Sequence, residues 1–269
     1  MSLYFITWNV SPELFSIGSF SFRWYGLSWA LSFFCGYLLF FWFLKRENRP
    51  PALLDSLTTY MILGTVIGAR LGHCLFYEPG RYLMHPLEIL KVWNGGMASH
   101  GAGLGIIFSL FIFSNIKKIN FFNILDRIAI CVAMSGFLIR MGNLMNSEIL
   151  GLPTNLPWAF VFQNATDFDK VPRHPAQLYE ALWCLIVFAL LIWLYVKNYS
   201  KNKDGILFGI FMFSIFAFRF FLEFIKEKQV DFESHLTLNM GQILSIPFAV
   251  TGLVLIYLKT SKIKKTEKQ

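Results

Sequence analysis

Apolar residues along this chain come in long unbroken runs divided by short polar connectors, with none of the alternation of a half-buried strand. Tyr25 to Leu44 is uncharged for about 20 residues, enough for a helix to cross a hydrocarbon core roughly 30 Å thick. Lys45-Arg46-Glu47-Asn48-Arg49-Pro50-Pro51 ends that run. Further runs follow at Ser56 to Tyr77, Met97 to Asn115 and Phe122 to Leu144, then a fifth that Arg173 to Glu180 leads into and that ends near Val196, then Gly205 to about Ile225 and Asn239 to Leu258. The segment 145–176 carries Pro153, Pro157, Pro172 and Pro175, too punctuated for one helix. The pattern predicts an all-α polytopic membrane protein with seven transmembrane helices in a single membrane domain, 1–269. An N-terminal arm, 1–20, with Trp8, Pro12 and Glu13, is expected at the membrane interface. There is no internal repeat.

Composition agrees. The chain is 55% hydrophobic and 15% charged, with a mean hydropathy of +0.52, too apolar for a soluble domain of this size. The net charge of +8 would suggest nucleic acid in a soluble protein. Here Lys and Arg sit in the connectors, so no nucleic acid is expected and the charge reports topology. Connectors after the first, third, fifth and seventh runs hold 13 of them, including the basic tail 259–269; the other side, with 78–96, 145–176 and 226–238, holds 6. The richer side is expected to be cytoplasmic, placing the N-terminus outside and the C-terminus inside. No basic n-region or small-residue cleavage site opens the chain, so no removed signal peptide is expected. Cys35, Cys74, Cys131 and Cys184 lie inside apolar runs without paired spacing and read as buried small hydrophobes; no metal spacing is present.

Orientation gives each intramembrane polar residue a depth. Arg70, Arg140 and Arg219 all fall about one to two turns inside the outer boundary, roughly 6–10 Å deep. Tyr25 and His100 start inward-running helices at the same level, and Glu148 and Glu180 lie beside it. A guanidinium in lipid costs roughly 3 kcal/mol on insertion scales, so it faces a partner or a wet cavity unless it snorkels. Each residue has a structural alternative: Arg140 reaching headgroups, Arg70 snorkelling or pairing with Glu78, Arg219 and Glu223 forming an i,i+4 brace, the glycines after His100 serving close helix packing. Snorkelling would scatter arginines over both faces, whereas these gather at one. The convergence points to a polar cavity at outer-headgroup depth.

Guanidinium forks suit a phosphate, and the amides of Asn143 and Asn146 suit headgroup hydroxyls. The chain offers no nucleophile elbow and no cysteine among these polar residues. The nucleophile is therefore expected from a second substrate, with His100 or a carboxylate taking its proton. A transporter would line a path to the inner side, where the spans are almost purely apolar; a retinal-type photoreceptor needs a lysine that Asn239 to Leu258 lacks.

Six motifs carry a resemblance: Trp24-Tyr25-Gly26-Leu27, Trp93-Asn94-Gly95-Gly96-Met97-Ala98-Ser99-His100-Gly101, Arg140 through Asn143, Asn146 and Glu148 to Gly151, Arg173-His174-Pro175-Ala176-Gln177-Leu178-Tyr179-Glu180, Phe218-Arg219 with Glu223, and Met240-Gly241-Gln242 to Pro247. In this order they resemble the bacterial prolipoprotein diacylglyceryl transferases. The resemblance implies a seven-helix enzyme of the bacterial inner membrane with its active site toward the extracytoplasmic side. It implies transfer of the diacylglyceryl group of phosphatidylglycerol to the lipobox cysteine of a prolipoprotein, releasing glycerol-1-phosphate, with no cofactor. Carried over residue by residue, it implies catalytic roles for His100, Arg140 and Arg219. Donor-lipid contacts are implied for Arg140, Tyr25, Asn143, Asn146, Glu148, Arg70, Glu223 and Gly151. Departures are Ile139 and Ser147, where glycine is usual, Ala102 in place of a second glycine, and Ile215, where tyrosine is common. Arg140 and Arg219 are expected to hold the donor phosphate, and His100 either takes the proton of the incoming thiol or orients groups around it. The segments 145–176 and 226–238 are expected over the cavity mouth.

Overall fold

A computed structural model describes residues 5–18, 20–91, 95–165, 168–199, 203–227 and 238–266. Helices form on all seven apolar runs: α1 (Trp24–Arg46), α2 (Ala52–Phe76), α4 (Ser99–Lys117), α5 (Phe121–Met145), α6 (Ala176–Val196), α7 (Ile206–Leu222) and α8 (Met240–Thr266). A short α3 (Pro79–Met84) and a 3-10 turn (Pro86–Leu90) punctuate the 78–96 connector. Within the described residues six helices are long and apolar enough to cross a membrane, and α4 is a shorter apolar one. Helix is what the composition demands, because a lipid-exposed backbone must satisfy its hydrogen bonds within its own segment. The chain is a multi-pass membrane protein.

The chain is mostly helical, consistent with the expected all-α polytopic class. Two small ribbons form outside the spans: β1 (Ile6–Trp8) pairs in parallel with β4 (Phe160–Phe162), and β2 (Glu13–Ile17) pairs antiparallel with β3 (Phe20–Arg23). The expected interfacial arm is thus partly strand. Of the expected segment 226–238, residues 228–237 lie outside the described residues, as do Trp93 and Asn94.

The chain divides into two compact units, one of residues 1–39 and 126–269 and the other of residues 40–125. In the second, α2 and α4 meet along glycines. A Cβ at Gly72 would lie 2.7 Å from the Gly101 Cα, and one at Gly68 2.7 Å from the Gly105 Cα. Only small residues permit so close a crossing, which replaces the hydrophobic effect with dispersion between backbones.

In the first unit, a fully buried carboxylate sets where α7 begins. Asp126 on α5 accepts from the Gly205 N–H at 2.9 Å and the Phe208 N–H at 2.8 Å. These are first-turn donors with no partner inside their own helix. At the other end of α5, Trp8 Nε1 donates to the Leu144 carbonyl at 3.1 Å. Leu144, Leu150, Phe160, Phe162 and Ala165 pack there into a buried cluster with Trp8 and Phe168 against it. The proline-rich segment after α5 is therefore a folded cap anchored by the N-terminal arm.

Candidate active site

The end of α5 builds the first half of the site. Arg140 and Asn143 share a helical face one turn apart, and Arg140 Nη1 donates to Asn143 Oδ1 at 3.0 Å. The other side of the same amide points at a carboxylate, with Asn143 Nδ2 donating to Glu148 Oε1 at 2.7 Å. Oxygen toward the cation and nitrogen toward the anion fixes the amide's orientation. Glu148 reaches back because the chain reverses just after the helix: Ser147 and Ile149 both take left-handed backbone angles, φ 53° and φ 60°. Such a conformation costs about 1–2 kcal/mol for a residue with a Cβ. Two so close together are strain held by the cap around them. Gln177, fully buried, donates to the Glu148 carbonyl, while its Oε1, Asn146 Oδ1 and Ser147 Oγ are buried without a protein partner among the described residues.

From Arg140 an alternating line of charges crosses to α7. Arg140 Nε lies against Glu180 Oε2 as an ion pair. Glu180 Oε1 is 3.4 Å from Lys226 Nζ, and that ammonium is 2.8 Å from Glu223 Oε1. Glu223 faces Arg219 Nε at 3.6 Å, the pairing that the i,i+4 spacing predicts, and its Oε2 accepts from Asn239 at 3.1 Å. Removing an ion from water costs several kcal/mol, which a neighbour of opposite sign must offset. Alternation does so at every step for Glu180, 7% exposed, and Lys226, 5% exposed. At the end of the line the Arg219 side chain is 41% exposed, and its terminal nitrogens have no partner among the described residues.

Tyr25 lies over the same stretch. A Cβ at Gly142 would come within 3.2 Å of the Tyr25 ring and 2.8 Å of Ser28 Oγ, so glycine lets α1 approach α5 beside Asn143. Gly151 serves the backbone behind the site. A Cβ there would meet the His174 carbonyl at 2.6 Å and the Ile225 carbonyl at 2.9 Å. Its N–H bonds the His174 carbonyl at 3.0 Å, and it bridges to Lys226. Burial holds the His174 imidazole below its ordinary value, and its Nδ1 lies 3.2 Å from the Tyr179 hydroxyl. Between α6 and α7 runs an apolar groove of about 470 Å³, lined by Leu182, Trp183, Phe218, Phe221 and Leu222.

Arg70 has different partners. It is 3% exposed, and it donates to the carbonyls of Ile89, Gly95, Gly96 and Glu88 at 2.9, 2.5, 3.3 and 2.6 Å. Of its five N–H groups, four are committed to the 78–96 connector. Glu78, its suggested partner, instead pairs with His73 and Arg81. His100 lies in the first turn of α4; its side chain is outside the described residues. The structure thus joins Arg140, Asn143, Glu148, Arg219 and Glu223, with Tyr25 beside them and Gly151 behind. Arg70 and His100 belong to the other unit.

Sequence reasoning set Glu180 at the expected level of Glu148 without assigning it to the site, and passed over Lys226. The signal for Lys226 was its i,i+3 spacing from Glu223.

Comparison with known proteins decides the family. The family model described as prolipoprotein diacylglyceryl transferase matches residues 12–258. The chain belongs to this family. Curated relatives named phosphatidylglycerol–prolipoprotein diacylglyceryl transferase include one from Chloroherpeton thalassium, 45% identical over 265 residues, covering 97% of this chain and 98% of the relative. One from Bacteroides fragilis is 44% identical, covering 94% of each, and one from Tolumonas auensis is 43% identical, covering 95% of this chain and 98% of the relative. Among the described residues no three of His, Cys, Asp and Glu gather to share a metal ion.

Proposed function

We propose that this diacylglyceryl transferase binds phosphatidylglycerol at the outer end of α5, α6 and α7 and transfers its diacylglyceryl group to the lipobox cysteine of a prolipoprotein. The sulfur attacks the glycerol carbon that carries the phosphate ester. The carbon–oxygen bond breaks, its electron pair leaves with glycerol-1-phosphate, and a thioether forms. Arg140 and Arg219 face the phosphate and the charge that grows on the departing oxygen; each well-placed donor contributes on the order of 3 kcal/mol to such a step. Tyr25, Asn143, Asn146 and Glu148 hold the headgroup. Its two hydroxyls match the unpartnered acceptors Asn146 Oδ1, Ser147 Oγ and Gln177 Oε1. The groove between α6 and α7 suits an acyl chain. Gly151 keeps the backbone close, and Arg70 braces the connector that leads to α4. His100 takes the thiol proton; a cysteine of pKa about 8.5 is a few per cent thiolate at neutral pH, so a base near 6.5 assists it.

The observation that carries this reading is the single charge ladder ending in two guanidiniums, one of them with its fork uncommitted. The reaction belongs on the extracytoplasmic face of the bacterial inner membrane, with the N-terminus outside and all residues in one membrane domain. The test incubates purified protein with phosphatidylglycerol and a lipobox peptide. A mass gain of one diacylglyceryl group on the cysteine, with one glycerol-1-phosphate released per transfer, is the expected result. A peptide of unchanged mass overturns the reading.

A further inference from the structure

We infer that Lys226 is a positioning residue for the donor phosphate: its buried ammonium holds Glu180 and Glu223 so that Arg140 and Arg219 keep a net positive charge for an anionic headgroup. The inference rests on the donor site proposed above. Lys226 is 5% exposed, and its ammonium stands between Glu180 Oε1 at 3.4 Å and Glu223 Oε1 at 2.8 Å. Each of those carboxylates also faces an arginine, Glu180 facing Arg140 and Glu223 facing Arg219.

The charge count along the ladder explains why a third cation matters. Without Lys226 the line reduces to two closed pairs, Arg140 with Glu180 and Arg219 with Glu223, and each guanidinium is drawn fully onto its carboxylate. With it, three cations face two carboxylates, leaving one unit of positive charge, the complement of a phosphodiester's single negative charge. Glu148 keeps its charge but is hydrogen-bonded to the Asn143 amide and pairs with no cation of the ladder, so the excess is counted along the ladder alone. The excess cannot be read out at Lys226, which is buried. It is expressed at the ladder's exposed end, the Arg219 fork.

The backbone supports the assignment. Leu152 N–H bonds the Ile225 carbonyl at 2.9 Å, Glu227 N–H bonds the Leu150 carbonyl at 3.0 Å, and Lys226 bridges to Gly151. The strand-like clamp holds residue 226 against the loop that follows α5. The two segments that close the site in sequence, 146–152 and 223–227, are tied at the residue whose side chain links the two arginines. A side chain anchored by its own backbone loses little further freedom when it orders its neighbours.

Lys226→Gln keeps a hydrogen-bonding side chain of similar length and removes the charge; Lys226→Met also removes the hydrogen bonds. Both are compared with Lys226→Arg and with the double variant Lys226→Gln/Glu180→Gln in the full-length protein in nanodiscs. The readouts are affinity for short-chain phosphatidylglycerol, KM and kcat of transfer to a lipobox peptide, and thermal midpoint. Lys226→Gln should weaken donor binding and raise donor KM at least tenfold while changing kcat less. Lys226→Arg should stay within about threefold of the parent. The double variant, with its charge excess restored, should regain most of the lost affinity. Wild-type affinity in Lys226→Gln, or a double variant that binds no better than the single, overturns the inference. If Lys226→Met does not fold, Lys226→Gln alone decides. A wild-type protein that binds the donor but leaves the peptide unmodified would sink the transferase reading instead, and the binding series would still judge Lys226.

Discussion

Arg70 and Arg140 are the same residue type at the same expected depth, each a turn or two from the outer end of an apolar helix, and they do different things. Arg70 is enclosed by main-chain carbonyls of its own connector. Arg140 is held by side chains, Asn143 and Glu180, which are in turn held by Glu148 and Lys226. A guanidinium bonded to four carbonyls folds a loop and has four of its five N–H groups committed. One bonded to a carboxylate and an amide is oriented, and part of its fork remains to exchange partners. The lesson is that cost of burial marks an arginine as needing partners, and the chemistry of those partners decides whether it is scaffold or site.

Substitution at the two positions should separate the roles. The largest effect on chemistry is expected for Arg140→Ala, a loss of about 3 kcal/mol of transition-state stabilisation, or roughly a hundredfold in kcat/KM, in protein that still folds. Single-turnover mass spectrometry of the peptide measures it. Arg70→Met should do the reverse: about 3–5 kcal/mol of stability lost from breaking a buried polar set, read as a lower thermal midpoint. An Arg70→Met protein of unchanged midpoint but abolished donor binding would break the comparison.

Smaller changes sharpen it. Gly151→Ala drives a methyl into the carbonyls of His174 and Ile225 and should cost about 1–3 kcal/mol in chemical denaturation. Ser147→Gly relieves a left-handed residue and should raise stability by about 1 kcal/mol. Parent-like stability of Ser147→Gly would mean that the cap, and not the residue, carries the strain. The smallest effect is a pH dependence at His174, whose neutral form the fold favours by burial. The unfolded chain takes up a proton first as pH falls through about 6.5, so stability should decline below that value. The decline should lessen in His174→Gln, measured as midpoint against pH.

Much of this was legible along the chain. The seven runs predicted the seven helices because a transmembrane helix needs only length and apolarity, both local properties. Arg140 with Asn143, and Arg219 with Glu223, were legible because neighbours one turn apart are set by helix geometry alone. The motifs also carried the family, later matched over residues 12–258. Apart from Lys226, whose spacing from Glu223 was readable, what was not legible has one cause: the partner lies far along the sequence. The ribbon of β1 with β4 joins residues 6–8 to 160–162. Asp126 caps a helix that starts at residue 206.

Periodicity, burial cost and charge asymmetry act residue by residue along the chain, and so the sequence by itself determined the apolar helices, the family and which polar side chains had to find company. The tertiary structure alone decided what that company was: carbonyls for Arg70, and for Arg140 and Arg219 two carboxylates joined by Lys226. The reason is that an ion's partner is chosen by whatever the packed backbone brings within about 4 Å of it, and that distance is set by contacts spanning the whole unit.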